Sequence, residues 1–453
     1  MSILFTVAAF IVAIAILVVV HEFGHYWVAR RLGVKVLRFS VGFGRPLWMR
    51  RLGVDRTEWV VAAIPLGGYV KMLDEREGKV AKKDVARAFN RQSLWKRSAI
   101  VLAGPAFNLL FAVLAYWVLY TVGLDGVRPV VGQVAAGSIA AAAGFEPGDE
   151  ITAIDGKAVA SWDQRRLYLF QRALRRDTVE VEVRTADGGG ATRRLDLSSM
   201  TAGRLSAGML EKEIGLSGYR PDVPPVIDTV TAGGPAAQAG IEVGDRVLAI
   251  DGVPVADWEG FVKIVSASPG RVLRMKVERD GAQRVIEVTP ARAERDGETV
   301  GRIEAGVRVP DLPESMRVTV RMNPWAAAGE AVEHTWLMSA LTLQMLYKML
   351  VLEVSTKTIS GPITIAQYAG HSARIGLDRF LMFLAVVSIS LGILNLLPIP
   401  ILDGGHLLTY LIEAVKGSPL SDRAMQWGQQ LGIAMLLTLM ALAFYNDFAR
   451  LLQ

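Results

Sequence analysis

Residues 3–30 read ILFTVAAFIVAIAILVVVHEFGHYWVAR, and this one stretch speaks to both the fold class and the chemistry. From Ile3 to Val20 only Thr6 is not apolar, and the apolar character continues through Phe23, Tyr26, Trp27 and Val28 as far as Arg30. At about 1.5 Å per residue, such a helix crosses the roughly 30 Å hydrocarbon core of a bilayer. A cleaved signal peptide is the competing reading, but no positive charge precedes the run and no small-x-small site follows it. At the far end stands His21-Glu22-Phe23-Gly24-His25. Residues i and i+4 share a helix face, so both imidazoles can meet one Zn²⁺, with the Glu22 carboxylate beside the first. Zinc in such a setting polarises a scissile carbonyl and brings a water's pKa toward about 7, while Glu22 takes the proton and passes it to the leaving amine. Two histidines and a glutamate are costly in an apolar helix unless they have partners or work to do.

The composition agrees with a membrane chain. Of 453 residues, 51% are hydrophobic and only 21% charged, and the mean hydropathy is +0.32. The chain is too long for a bundle of about four spans, so water-soluble domains of about 100 residues each are expected as well. Cysteine is absent, which excludes disulfides and thiolate metal sites and leaves five histidines with Asp and Glu as metal ligands. Ala29 to Ser98 holds 17 Lys and Arg against 6 Asp and Glu. The positive-inside rule places that stretch in the cytoplasm and the N-terminus outside. Attraction to anionic lipid headgroups accounts for Arg50, Arg51, Lys82 and Lys83, so a pI of 9.4 is no argument for nucleic-acid binding.

Three further spans are expected: Ala99–Val122, which contains Gly104, Pro105 and Asn108, then Phe380–Leu397, then roughly Met425–Phe448. Trp336–Leu352 is apolar but interrupted by Gln344 and Lys348, and it reads as a helix lying on the outer surface. The organisation is therefore 1–29 first span, 30–98 cytoplasmic or re-entrant β region, 99–122 second span, and 123–221 and 222–312 two soluble domains. These are followed by 313–379 outer-surface amphipathic helices, 380–424 third span with a broken segment, and 425–453 fourth span.

The soluble region is a repeat. Pro129–Trp162 aligns without gaps on Pro225–Trp258, matching Ala143-Gly144 to Ala239-Gly240, Gly148-Asp149 to Gly244-Asp245 and Ile154-Asp155-Gly156 to Ile250-Asp251-Gly252. The pattern reads as a small-residue helix end, a glycine turn and a strand closing in an Asp-Gly hairpin. It resembles a tandem of α+β PDZ domains of the protease-associated kind. That resemblance implies a peptide groove lined by a Gly-hydrophobic pair, here Gly215-Leu216 and Gly306-Val307, open to peptide or protein ligands by strand addition. Closed grooves acting only as steric bulk are the alternative.

A catalytic zinc usually has three protein ligands. The best third ligand is Asp403, in the Pro-interrupted stretch Asn395-Leu396-Leu397-Pro398-Ile399-Pro400-Ile401-Leu402-Asp403-Gly404-Gly405-His406, with His406 as runner-up. Parity supports the topology: Asp403 meets His21 and His25 only if it follows an inward-running span, which counting Trp336–Leu352 as a span would forbid. Asn395 reads as a donor to the substrate carbonyl or backbone, or as a partner for backbone groups freed by the broken helix. Val41–Gly44 and Arg56–Ile64 read as strands, followed by Pro65 to Lys71, in which the pair Gly67-Gly68 suits close backbone approach.

These motifs occur together: HExxH in the first span, Gly104-Pro105-x-x-Asn108 in the second, the inserted pair, Ser360-Gly361-Pro362, and Asn-x-x-Pro-x-Pro-x-x-Asp-Gly-Gly-His from Asn395 to His406. Together they resemble, from end to end, the site-2 intramembrane zinc metalloproteases of the bacterial RseP type. Ser390 departs from that resemblance, which leads one to expect Asn at the position. The resemblance implies a polytopic α-helical membrane protein with a membrane-associated β-hairpin and two inserted PDZ domains. It likewise implies a place in the bacterial inner membrane, with the N-terminus and PDZ pair expected on the periplasmic side. One Zn²⁺ is held by His21, His25 and Asp403, with Glu22 catalytic. The resemblance would also place Gly67, Gly68 and Tyr69 beside the cleaved segment, on a hairpin edge that replaces the hydrogen bonds lost when a substrate helix unwinds. The resemblance further implies membrane-spanning substrates, anti-sigma factors after a first cut and remnant signal peptides, with large outer domains excluded by the PDZ pair. A catalytically silent PDZ scaffold is the alternative from another class. A zinc-linked transporter fits poorly, for no inverted repeat of broken helices appears.

Overall fold

The computed structural model describes all residues except 1, 2, 163–167, 170, 171, 174, 176, 201–209, 296, 297, 309, 311, 352–359, 419, 452 and 453. Seven long helices organise the chain: α1 (Ile3–Arg31), α2 (Leu94–Val122), α3 (Pro324–Leu350), α4 (Pro362–Ile375), α5 (Leu377–Asn395), α6 (Asp403–Lys416) and α7 (Asp422–Leu451). Among the described residues four are long and apolar enough to cross a membrane, namely α1, α2, α5 and α7. The expected spans thus appear with shifted ends: α2 starts five residues early at Leu94, and α5 stops at Asn395 rather than Leu397. Pro398 disfavours helical backbone at the residue before it, and Pro400 continues the interruption.

α2 is the centre of the bundle, packed against α1, α3, α5 and α6. Its crossing with α1 is close because the residues there are small. A Cβ on Gly24 would overlap the Ala103 carbonyl, and one on Gly104 would overlap the His25 ring. Further along α2, Ala112, Ala115, Tyr116, Leu119 and Tyr120 form a buried cluster with Ala327 and Ala331 of α3 and Ala385, Ile389 and Ile393 of α5. By contrast α7 leaves Trp427, Leu431, Leu437 and Tyr445 exposed, the surface of a helix facing lipid. Its Asp447 is nevertheless buried and caps α4: Oδ1 accepts from Gly361 N at 2.9 Å and Oδ2 from Ile363 N at 2.8 Å. Pro362 has no donor to lose at this position, which accounts for the Ser360-Gly361-Pro362 motif.

Between α1 and α2 lie strands β1 (Val36–Leu52) and β2 (Thr57–Met72), antiparallel and longer than the expected segments. Residues Arg38–Val41 are paired on both sides, with Glu58–Val61 and with Gly68–Lys71. The Gly68–Lys71 segment has no ladder partner on its far side among the described residues.

The soluble region is clasped at its base by Leu124–Val127 pairing with Arg317–Val320. The two halves share one plan. In the first, Lys157–Ala158, Glu150–Ile154, Thr178–Arg184 and Gly190–Asp196 form a four-stranded sheet in that order, and Val131–Val134 pairs with Leu216–Gly218. In the second, Val253–Pro254, Arg246–Ile250, Leu273–Arg279 and Ala282–Val288 repeat that order, and Ile227–Val230 pairs with Ala305–Val307. The repeated Ile-Asp-Gly is a two-residue hairpin turn with φ positive at both central positions, 49° and 73° at Asp155-Gly156 and 50° and 84° at Asp251-Gly252. Each aspartate steadies its turn by accepting a backbone N–H, from Glu180 or Arg274, at 2.9 Å.

Candidate metal centre

Helix geometry puts His21 and His25 one turn apart on α1, where their Nε2 atoms stand 3.2 Å from each other. The prolines after α5 turn the chain so that α6 begins at Asp403, whose Oδ2 lies 3.2 Å from His21 Nε2 and 3.6 Å from His25 Nε2. This return is tight. Cβ atoms on Gly404 and Gly405 would overlap the carbonyls of Leu396, Leu397 and Ile399, so only glycine lets α6 start here. Among the described residues these three form the one group of His, Asp and Glu side chains able to share an ion. His406, the runner-up ligand, is not part of it.

The three donor atoms fit zinc. Tetrahedral bonds of about 2.05 Å require ligand atoms about 3.3 Å apart, and the observed separations are 3.2, 3.2 and 3.6 Å. Among the described residues Asp403 Oδ2, a buried atom, has no hydrogen-bond partner, which suits an oxygen whose lone pair would serve a cation. His25 Nδ1 donates to the Ile100 carbonyl at 2.8 Å, which leaves its Nε2 with a free lone pair. Gly104 opens the wall of the site, because any side chain there would occupy the space of both imidazoles.

Glu22 lies against β2, where a Cβ on Gly68 would stand 3.1 Å from Glu22 Cγ and 2.7 Å from the Ser40 carbonyl. Gly67 has φ 149°, with its α-carbon packed on the Phe43 ring, and Tyr69 stacks on Phe43 with ring centroids 6.2 Å apart while Arg38 donates to its hydroxyl at 3.2 Å. The unpaired edge at Gly68–Lys71 therefore runs beside Glu22. Asn395 is half-buried at the end of α5.

The expected groove residues are placed differently from one another. Leu216 is fully buried in the core of the first half with Val131, Ile151 and Ile214. Its strand pairs with Val131–Val134, which turns the side chain inward, so Leu216 does not line a groove. Val307 is half-exposed and pairs with Ile227. The adjoining Gly306 borders an open groove of roughly 800 Å³, with Phe261, Val265 and Ile303 in its wall.

Sequence reasoning gave no task to Asn108, whose Nδ2 lies 3.2 Å from His21 Nδ1. The signal was a polar residue at bilayer depth four positions after Gly104. Nor did it single out Gly24 and Gly104 as spacers, although both stand in the quoted motifs.

The spans, the HExxH helix and the carboxylate delivered by a broken helix define a class, that of membrane-embedded metallopeptidases. The sequence pattern of peptidase family M50 matches residues 9–439. The chain is 42% identical over 456 residues to the regulator of sigma-E protease RseP of Salmonella typhimurium strain 14028s, covering 100% of both chains. It is likewise 42% identical over 461 residues to that of Escherichia coli K12, again 100% of both. It is 44% identical over 452 residues to a candidate zinc metalloprotease of Neisseria meningitidis serogroup A, covering 99% of both. The chain belongs to peptidase family M50, and its activity is that of a zinc metalloprotease working within the membrane, as in regulated intramembrane proteolysis.

Proposed function

We propose that His21, His25 and Asp403 hold one Zn²⁺ per chain and that Glu22 is the catalytic acid-base of an endopeptidase cutting transmembrane segments. The observation that carries this reading is the set of three mutual distances among Nε2, Nε2 and Oδ2. When bound, the ion supplies Lewis acidity toward the scissile carbonyl and an attacking water. Glu22 takes the water's proton on its carboxylate and delivers it to the leaving amine. A helical substrate must first surrender its own backbone hydrogen bonds, and the free edge at Gly68, Tyr69 and Val70 offers replacements beside Glu22. Gly67 keeps that backbone close, and Asn395 is assigned to hold the substrate carbonyl or backbone.

The two halves of the soluble region are read as PDZ domains, 123–221 and 222–312. The groove at Gly306 and Val307 suits an extended peptide better than the first half, where the Trp162 ring lies over Gly218. The remaining boundaries stay as the sequence drew them: 1–29, 30–98, 99–122, 313–379, 380–424 and 425–453. The enzyme is placed in a bacterial inner membrane, with the N-terminus and PDZ pair periplasmic and 30–98 cytoplasmic. Its relatives' names associate them with sigma-E regulation, which supports an anti-sigma factor as a substrate; remnant signal peptides rest on the family resemblance alone. The test is Glu22→Gln in full-length protein reconstituted with a transmembrane substrate. Zinc content should stay near one per chain while cleavage is abolished; unaffected cleavage would eliminate Glu22 as the acid-base, and a wild-type protein that cuts no substrate would leave the PDZ scaffold.

A further inference from the structure

We infer that Asn108 is a positioning residue for the metal centre, its Oδ1 accepting the Nδ1 proton of His21 and so directing the His21 Nε2 lone pair at the ion. The inference rests on the proposed ligand set and adds a residue that acts through one ligand.

Four observations converge on it. Asn108 is fully buried, on the face of α2 turned toward α1. Its carboxamide sits at His21 Nδ1, with 3.2 Å between Nδ2 and the ring nitrogen. Its Oδ1 is buried and has no hydrogen-bond partner among the described residues. The companion ligand His25 already has its Nδ1 proton engaged by a carbonyl, that of Ile100, at 2.8 Å.

With Nδ2 facing the ring, Asn108 donates to Nδ1 and forces the His21 proton onto Nε2, the atom that faces His25 and Asp403. An imidazole in that tautomer has no lone pair for an ion on that side. Half a turn about the Cβ–Cγ bond exchanges the two amide atoms. Oδ1 then accepts from Nδ1–H, Nε2 becomes a donor atom for the metal, and the orphaned Oδ1 is satisfied. Both histidines are then held alike, each by an oxygen acceptor on its Nδ1, one from α2 backbone and one from an α2 side chain. α5 holds Asn108 in place: the Ser388 hydroxyl donates to the Asn108 backbone carbonyl at 2.8 Å, and a Cβ on Gly392 would stand 3.4 Å from Asn108 Cβ, so glycine there keeps α5 close.

The experiment is zinc competition against a chromophoric chelator on full-length, detergent-solubilised protein. Asn108→Leu removes the acceptor and should weaken zinc about 10- to 100-fold, the usual effect of losing a partner of a ligand. Asn108→Asp is acceptor-only and should hold zinc within about threefold of the parent. Asp403→Ala, measured alongside, separates the two levels. Unchanged affinity there overturns the ligand set, whereas loss there with unchanged affinity in Asn108→Leu overturns only the role of Asn108. Loss in Asp equal to loss in Leu also overturns it. Should Asn108→Asp not fold, the wild-type protein decides: with ¹⁵N-histidine and five histidines in the chain, zinc-loaded His21 should show an exchange-protected, downfield Nδ1–H. A freely exchanging proton there sinks the inference.

Discussion

Glycine carries as much of this active-site architecture as histidine does. At Gly104 a methyl group would land within the volume of both imidazoles. Gly104→Ala should therefore lose most bound zinc, with about 1–3 kcal/mol of overpacking strain, seen as lowered metal content and absent cleavage. Outside the spans, His334 of α3 lies half-buried between Tyr116, whose ring centroid is 4.2 Å away, and Tyr120, whose hydroxyl lies 2.9 Å from its Nδ1. Burial, with Lys157 nearby, pushes its pKa down to about 4. The unfolded imidazole titrates near 6.5, so between pH 6.5 and 4 the unfolded chain binds the extra proton. The stability of this joint is accordingly complete above 6.5 and falls as pH drops toward 4. Thermal melts of the wild type should show that slope and melts of His334→Phe should lack it; an identical pH profile would refute the assignment.

Among the elements, β2 and α4 have the most testable designs. The edge at Gly68–Lys71 serves cleavage only if its backbone stays against Glu22, and a side chain at 68 would meet Val18 and the Ser40 carbonyl. Gly68→Val should reduce turnover of a transmembrane substrate at least about tenfold while zinc content is unchanged, since no ligand moves. Loss of zinc in parallel would make the strand a structural support instead. α4 depends on a cap borrowed from another helix. Asp447→Ala removes an acceptor for three backbone N–H groups, those of Gly361, Ile363 and Thr364. It should cost about 1–2 kcal/mol, read as a lower denaturation midpoint. Val41–Gly44 and Arg56–Ile64 read as strands in the sequence, but their extension to Val36 and Met72 was not legible. It comes from Arg38–Val41 pairing on both sides, a long-range arrangement with no local signature.

Across the whole molecule, the soluble region is joined to the spans by packing as well as by its clasp. Leu341 of α3 is buried within the core of the first half, with Leu337 and Met338 beside it. Lys157 of that half pairs with Glu333 of α3, and α3 in turn packs along α2, the helix that carries Gly104 and Asn108. Leu341→Ala should weaken this docking by about 2–5 kcal/mol, measured as faster hydrogen exchange in the first half and α3 with little change in the second. Equal protection in both variants would show that the docking is not held there.

The sequence alone was sufficient for the four apolar spans, the duplicated soluble unit and the HExxH pair. Each is written in local periodicity or in residues a few positions apart, and the bilayer's demand for satisfied backbone makes long apolar helices almost unambiguous. It also nominated Asp403, by topology. What it could not supply was distance: that Oδ2 comes within 3.6 Å of both imidazole nitrogens, that Leu216 faces a core, or that Asn108 stands at His21. Those facts depend on how closely α1, α2 and α5 approach and on where two prolines release the chain. That closeness is set by packing between residues far apart along the polypeptide, and no pattern within a single helix encodes it.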